Sequence, residues 1–232
     1  MELTQRQSKI LVWVVRDYID LARPISSQFL EKKHKIGISS PMIRIEMQRL
    51  TERGFLKQPH TSAGRIPTDK GYRFFVDRII EKTKKKEKRE KDWIEKEIGD
   101  VVRLIQVLTK NLAERTKSLV LSYLKEREIL FKEGWDVLKE PEFRDEKLVS
   151  RFLEFLLEFE KMLGEFEICS EIEVFIGKEN PFPKGKEFSL IFSKCCLPKR
   201  KEGIFALVGP KRMDYYRNIT LLESLRESLT KF

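Results

Sequence analysis

A chain of 232 residues, 41% hydrophobic and 36% charged, can form one large domain or two small ones with real cores, and it is too apolar for a disordered polymer. No stretch approaches the roughly 18–20 uninterrupted apolar residues of a membrane-crossing helix, and the opening "MELTQRQSKI" lacks an apolar export core, so the cytoplasm is the expected compartment. The net charge of +10 is localised: residues 1–91 hold 22 Lys+Arg against 11 Asp+Glu and the remainder 25 against 26, which points the N-terminal part at a polyanion.

The first elements read as three short helices. Thr4 is placed to cap "QRQSKILVWVVRDYID", along which Ile10, Leu11, Val14, Val15, Tyr18 and Ile19 form one apolar stripe. "ARP" breaks that pattern, Ser26 or Ser27 caps a second helix, "SQFLEKKH", with Phe29 and Leu30 inward, and Gly37 is expected to stop it. Ser39 or Ser40 caps the third, with Pro41 in its first turn. Ile43, Met47 and Leu50 define its buried face, leaving Ser40, Pro41, Arg44, Ile45 and Gln48 outward and Arg49 at the border. After Gly54 come a short strand candidate at Phe55–Gln58, a Gly- and Arg-bearing loop and a further helix, "TDKGYRFFVDRII". That order, all in the basic half, is the order of a winged helix–turn–helix.

Residues 82–91, "KTKKKEKREK", supply +5 of the excess as a charged connector, yet residues 1–80 alone carry 15 basic against 8 acidic groups. Beyond it, a long helix is predicted over 92–124. Ile94, Ile98, Val101, Ile105, Leu108 and Leu112 are spaced 4, 3, 4, 3, 4, a heptad seam suited to pairing with a second copy. Val102 and Leu104 widen the apolar face enough that packing on its own domain stays open. The remainder reads as α+β: a helix at 148–163, strand candidates "EIEVFIG", "EFSLIFSKCCL" and "GIFALVG", the last two joined by a basic turn "PKRKEG", and a closing helix.

Enzyme chemistry finds little support, because no HExxH, GxSxG or GxxxxGK[ST] pattern occurs and the carboxylates of 140–173 alternate with apolar residues at helical spacing. Cys169, Cys195 and Cys196 have no metal-ligand spacing and read as free buried thiols; no metal or cofactor is expected. The positive reading is duplex DNA. Polar residues near the start of the third helix (Ser39, Ser40 and Arg44) are placed to meet base edges, and arginine matches guanine O6 and N7. Lys32, Lys33, Lys35 and Arg49 suit phosphates. In the loop, Arg65 suits a minor groove or a phosphate, His60, Thr61 and Ser62 the strand backbone, and Gly64 a close approach.

The stretch "QPHTSAGRIPTDKGYRFFVD", preceded by "RPISSQFLEKK" and "GISSPMIRIEMQRLTERGFL" and followed near the end by "VFIGKENP" and "FALVGPKRMDYYRNITLLE", resembles the HrcA heat-inducible transcription repressors over about half the chain. The resemblance implies a dimeric repressor on an inverted repeat upstream of chaperone genes, kept active by the chaperonin, with a winged helix, a GAF-like domain and a dimerising insertion. Carried onto this chain, it puts the recognition helix at 39–52 and the wing at 58–67. The expected architecture is a winged-helix domain over 1–82, a linker and dimerisation helix over 83–125, and a reduced GAF-like α+β domain over 126–232.

This chain departs from the family pattern in two ways. Relatives tend to carry Ala-Thr at the positions of Pro41 and Met42 and Asn at that of Ile45. The chain is also about a hundred residues short, so the insertion and the first GAF-like strands are expected to be missing, leaving a sheet edge to be covered by another chain or by the 92–124 helix. Two rival readings stay open here: a small-molecule-responsive regulator, and a chaperone-interacting protein with weak DNA specificity.

Overall fold

A computed structural model describes residues 3–35, 37–83, 100–165, 171–198 and 201–229. The chain is α+β and divides into two compact units, Met1–Glu81 and Lys82–Phe232.

In the first unit α1 (Gln5–Leu21) starts on a capping box, Thr4 accepting from the Gln7 amide while the Gln7 side chain reaches back to the Thr4 amide. Its stripe of Ile10, Leu11, Val14 and Val15 is fully buried. Helix α2 (Ser27–His34) is capped by Ser26, and Leu30 is buried, whereas Phe29 lies half-buried near the Lys33 ammonium. The helix stops two residues earlier than expected: Lys35, not Gly37, takes the left-handed cap conformation, and Gly37, with φ +73°, serves the turn beyond. Helix α3 (Ser40–Glu52) follows with Pro41 in its first turn. Strands β1 (Leu56–Lys57) and β2 (Ile66–Pro67) pair antiparallel, Leu56 opposite Pro67, and the chain enters α4 (Asp69–Thr83), whose Tyr72, Phe75, Val76 and Ile79 are buried.

The second unit opens, within the described residues, with α5 (Val101–Thr116), capped by Asp100 and ended by Lys117 in the left-handed conformation. The expected long helix therefore breaks at Thr116, and the rest of that stretch is strand β3 (Leu119–Leu124), hairpinned to β4 (Ile129–Glu133). Strand β3 escapes a periodicity reading, because no glycine or proline separates "LVLSYL" from α5. After α6 (Glu146–Met162) come β5 (Ile172–Ile176), β6 (Phe188–Leu197) and β7 (Lys201–Pro210), then α7 (Tyr215–Leu229). The five strands form one antiparallel sheet in the order β4-β3-β7-β6-β5.

Alternation along the strands divides the core into two layers. Leu119 and Leu121 of β3, Phe188, Leu190 and Phe192 of β6, and Ala206 and Val208 of β7 face Phe152, Phe155 and Phe159 of α6. The Phe152 and Phe188 rings meet edge to face at 5.0 Å. The opposite face, with Val120, Ile191, Phe205 and Leu207, takes α5 and α7; Ser189 Oγ lies 2.7 Å from the Tyr215 hydroxyl, and the Asn218 amide donates to Ser118 Oγ.

This arrangement corrects the seam. Val101, Ile105, Leu108 and Leu112 are all buried, the last three completely, on the sheet of their own unit, so they are not an exposed face for a second copy. The physical reason is the widened stripe: Leu104 and Ala113 are buried too, which a two-residue heptad seam does not require. Ile94 and Ile98 lie outside the described residues, as do Cys169 and residues 84–91 of the charged connector. Cys195 is buried, but Cys196 is exposed, against the expectation of three buried thiols. Among the described residues no helix is long and apolar enough to cross a membrane.

Candidate nucleic-acid interface

Helix α3 presents two chemically different faces. Ser40, Ile43, Glu46, Met47 and Leu50 point into the unit, and Pro41, Met42, Arg44, Ile45, Gln48 and Arg49 point out. Met42 and Ile45 are large apolar side chains left 40% and 45% exposed, with Arg44 between them and Arg49 one turn on. Ser39 occupies the cap position without a capping bond from its side chain, so its hydroxyl is not engaged there.

Ser40 is not part of the outward face. Its hydroxyl is buried 2.8 Å from that of Ser27, tying the start of α3 to the start of α2. A hydroxyl this small pairs where two helix ends converge, and burial without that partner would cost about 1–3 kcal/mol.

Buried polar groups that sequence patterning passed over set the pitch of α3. Glu46 is almost fully buried, accepts from the Gln7 amide of α1 at 3.0 Å, and takes the Arg49 guanidinium at 3.0 Å; Arg53 donates to the other side of Gln7. Arg49 is therefore engaged on its own helix, though still exposed enough to reach outward. Asp17, fully buried on α1, accepts from Lys33 Nζ at 2.5 Å and from His34 Nε2 at 2.7 Å, and His34 stacks on Trp13 at 4.9 Å. Lys33, expected at a phosphate, is instead the partner of a buried carboxylate, although like Lys32 and Lys35 it stays exposed. The missed signal was an Asp inside an apolar stripe, three residues after Val14 and one before Tyr18, followed sixteen residues later by a Lys-His pair.

The loop from Gln58 to Arg65 is held from within. The Gln58 amide donates to the carbonyls of Thr61 and Ala63 at 2.7 and 3.0 Å, which leaves His60, Thr61 and Ser62 exposed at the tip. Ile25 and Arg65 exchange backbone hydrogen bonds of 2.9 and 2.8 Å, docking the loop on the α1–α2 turn. Gly64 is explained by that docking, not by close approach to a nucleic acid: a Cβ there would fall 2.3 Å from the Ile25 carbonyl oxygen.

Arg65 is the residue that joins loop to helix. Its Nε donates to Thr51 Oγ1 at 3.1 Å and its Nη2 to Gln48 Oε1 at 2.9 Å. Partial burial, and then the charge of Arg44, hold its pKa below the usual arginine value. Arg44 and Arg65 line one cleft of about 370 Å³ with Ser26, Thr61 and Ser62.

The fold and this surface define a two-unit α+β protein with a small basic helical unit and a sheet-bearing second unit. The family model described as HrcA protein C terminal domain matches residues 71–219. The heat-inducible transcription repressor HrcA of Natranaerobius thermophilus is 30% identical over 333 aligned positions that take in 99% of this chain and 97% of the relative. Since this chain has 232 residues, about a hundred of those positions have no counterpart in it. The HrcA of Thermoanaerobacter sp. strain X514 is 59% identical over 80 residues, 34% of this chain and 23% of that one. Among solved structures, a 2.2 Å crystal structure of a protein described only as hypothetical superposes with a TM-score of 0.81 at 22% identity, over 99% of this chain and 97% of that one. The chain belongs to the HrcA family.

Proposed function

We propose that this chain is a sequence-specific DNA-binding transcriptional repressor of heat-shock genes, and that two copies act together on an inverted-repeat operator. The observation that carries the reading is the outward face of α3, with Met42, Arg44, Ile45 and Gln48, standing beside an arginine-lined cleft and a docked two-stranded ribbon in a unit with 15 basic against 9 acidic residues. Membership of a family whose relatives are named heat-inducible transcription repressors supports it.

In this reading the first unit is a winged helix–turn–helix: α2 and α3 are the helix pair, α3 enters the major groove, and the 58–65 loop is the wing. Arg44 reaches towards base edges, while Arg49, Lys32, Lys35 and the tip residues His60, Thr61 and Ser62 supply phosphate contacts, which fix register without reading sequence. The second unit is a reduced GAF-like domain, and the protein works in the cytoplasm on the nucleoid. The buried face of α5 leaves pairing of the two copies to other surfaces. No residue is assigned a catalytic role.

Selection of bound duplexes from a random pool, at fixed salt, tests the reading. Two related half-sites in opposite orientation are the expected product. Binding that rises only with duplex length and falls with salt, with no selected sequence, would overturn it.

A further inference from the structure

The cleft between α3 and the 58–65 loop is lined by two guanidinium-bearing residues, the hydroxyl residues Ser26, Ser27, Thr61 and Ser62, and no carboxylate. Arg44 is exposed and has no hydrogen bond or ion pair to any described residue, whereas the next arginine along α3, Arg49, is paired with Glu46. Arg65 is held in place by Thr51 and Gln48, and the charge of Arg44 is close enough to lower its pKa. Two like charges facing one concavity repel unless an anion lies between them. The Ser27 hydroxyl is spent on Ser40 and that of Ser62 lies 3.3 Å from His60 Nδ1, but the exposed hydroxyls at the loop tip, Thr61 and Ser62, are donors of the kind a multiply charged oxyanion accepts from.

We propose that this cleft is a phosphate site, in which one phosphate group sits between Arg44 and Arg65 and takes hydrogen bonds from the Thr61 and Ser62 hydroxyls. The choice of phosphate over a base follows from shape. A base edge stays inside the stack and meets a protruding side chain, whereas a phosphate projects from its strand and can enter a concave surface. Arg65 cannot protrude, because its fork is already spent on Thr51 and Gln48. Resting on the DNA-binding reading, the phosphate is one of the operator backbone; the same chemistry fits a free phosphate. The site turns Arg44 from a reader of guanine into a positioning residue and leaves base contact to the helix face at Met42 and Ile45.

The test uses the full chain and two probes. The first is the selected duplex carrying a single uncharged methylphosphonate at each backbone position in turn. At one position per half-site, neutralisation is expected to weaken binding to the unsubstituted protein about tenfold and to leave binding by Arg44→Gln unchanged, because that contact is already gone. The salt slope of Arg44→Gln should be shallower by about one per half-site. The second probe is inorganic phosphate, titrated against the Arg65 Nε–H NMR signal; a saturable shift that Arg44→Gln abolishes assigns the site to free phosphate also. Arg44 is exposed and unbonded, so its variant is expected to keep the melting temperature of the parent. If sequence-specific binding persists, but no methylphosphonate position distinguishes the two proteins and phosphate leaves the Arg65 signal in place, the phosphate site is wrong and the DNA reading stands. A saturable phosphate shift in a protein that selects no sequence would keep the site and remove the DNA reading.

Discussion

The guanidinium of Arg65 crosses from the ribbon loop to Gln48 on α3, Nη2 donating to Oε1 at 2.9 Å, so loop and helix are one rigid surface. A second bond, Nε to Thr51 Oγ1 at 3.1 Å, fixes the plane of the fork. Arg65→Ala is expected to cost about 1–2 kcal/mol in denaturant unfolding, a discount on two charged hydrogen bonds that are partly exposed. Binding to the selected site and to random duplex should fall by similar factors, since the residue positions and does not read. Arg65→Lys keeps the charge but not the planar fork, so it should recover random-duplex binding better than stability. Anisotropy on the two duplexes beside unfolding curves checks all three statements, and a loss confined to the selected site would contradict them.

Gly64→Ala probes the docking of the same loop. The new methyl meets a backbone carbonyl oxygen at 2.3 Å, and a backbone atom cannot swing aside as a side-chain end can. The expected cost is about 1–3 kcal/mol, as for other overpacked sites. Because the strain falls on the Ile25–Arg65 bridge, the amide of Arg65 should lose hydrogen-exchange protection before the α1 core does. Uniform protection in the variant would show that the loop has other moorings.

Much of the first unit was legible because its signals are local. The Thr4 cap, the apolar stripe of α1, Pro41 at the start of α3 and the outward set at Arg44, Ile45 and Gln48 each follow from spacing within one helix. What spacing could not show is which polar residues face each other across elements. Ser40 meets Ser27, Lys33 meets Asp17, Glu46 meets Gln7, and Arg65 meets Gln48, and these pairs are separated by 13 to 39 residues. In the second unit β3 was hidden for a related reason: an apolar run buried on both faces carries no alternation to separate strand from helix.

The exposed pair Met42 and Ile45 makes its own prediction about the operator. An apolar side chain in the major groove has one favourable partner there, the 5-methyl of thymine. Replacing thymine by deoxyuridine at single positions of the selected site removes that methyl and no hydrogen bond. One or two positions per half-site should lose about fourfold in affinity, the equivalent of about 0.8 kcal/mol per buried carbon. The same substitutions should have no effect on Met42→Ala or Ile45→Ala. Equal sensitivity of parent and variants would assign the methyl contacts elsewhere.

Leu108 distinguishes a core helix from an assembly helix. It is fully buried against its own sheet, so Leu108→Ala is expected to destabilise the second unit by about 2–5 kcal/mol. Below the unfolding transition, sedimentation should report the same assembly state as the parent. Dissociation of a folded protein would instead restore the heptad seam.

Cys195 offers a pH test of packing in the second unit. Burial, only partly offset by the Ser193 hydroxyl, pushes its thiol up to about 12 from an ordinary 9.0. In the unfolded chain the thiol ionises above pH 9; in the folded chain it stays protonated to about pH 12. The folded state therefore holds the proton more tightly, and the associated stability is fully present below pH 9 and declines as pH rises from 9 towards 12. The slope for this one group is about 1.4 kcal/mol per pH unit in that window. Lysines and tyrosines titrate there as well, so the quantity to follow is the difference between the parent and Cys195→Ala, in which those groups cancel. That difference should be flat from pH 7 to 8.5 and shrink between pH 9 and 10.5. In the native protein a thiol reagent should modify exposed Cys196 and leave Cys195 intact. A constant difference across the whole range, or early modification of Cys195, would mean that β6 opens to solvent in the native state.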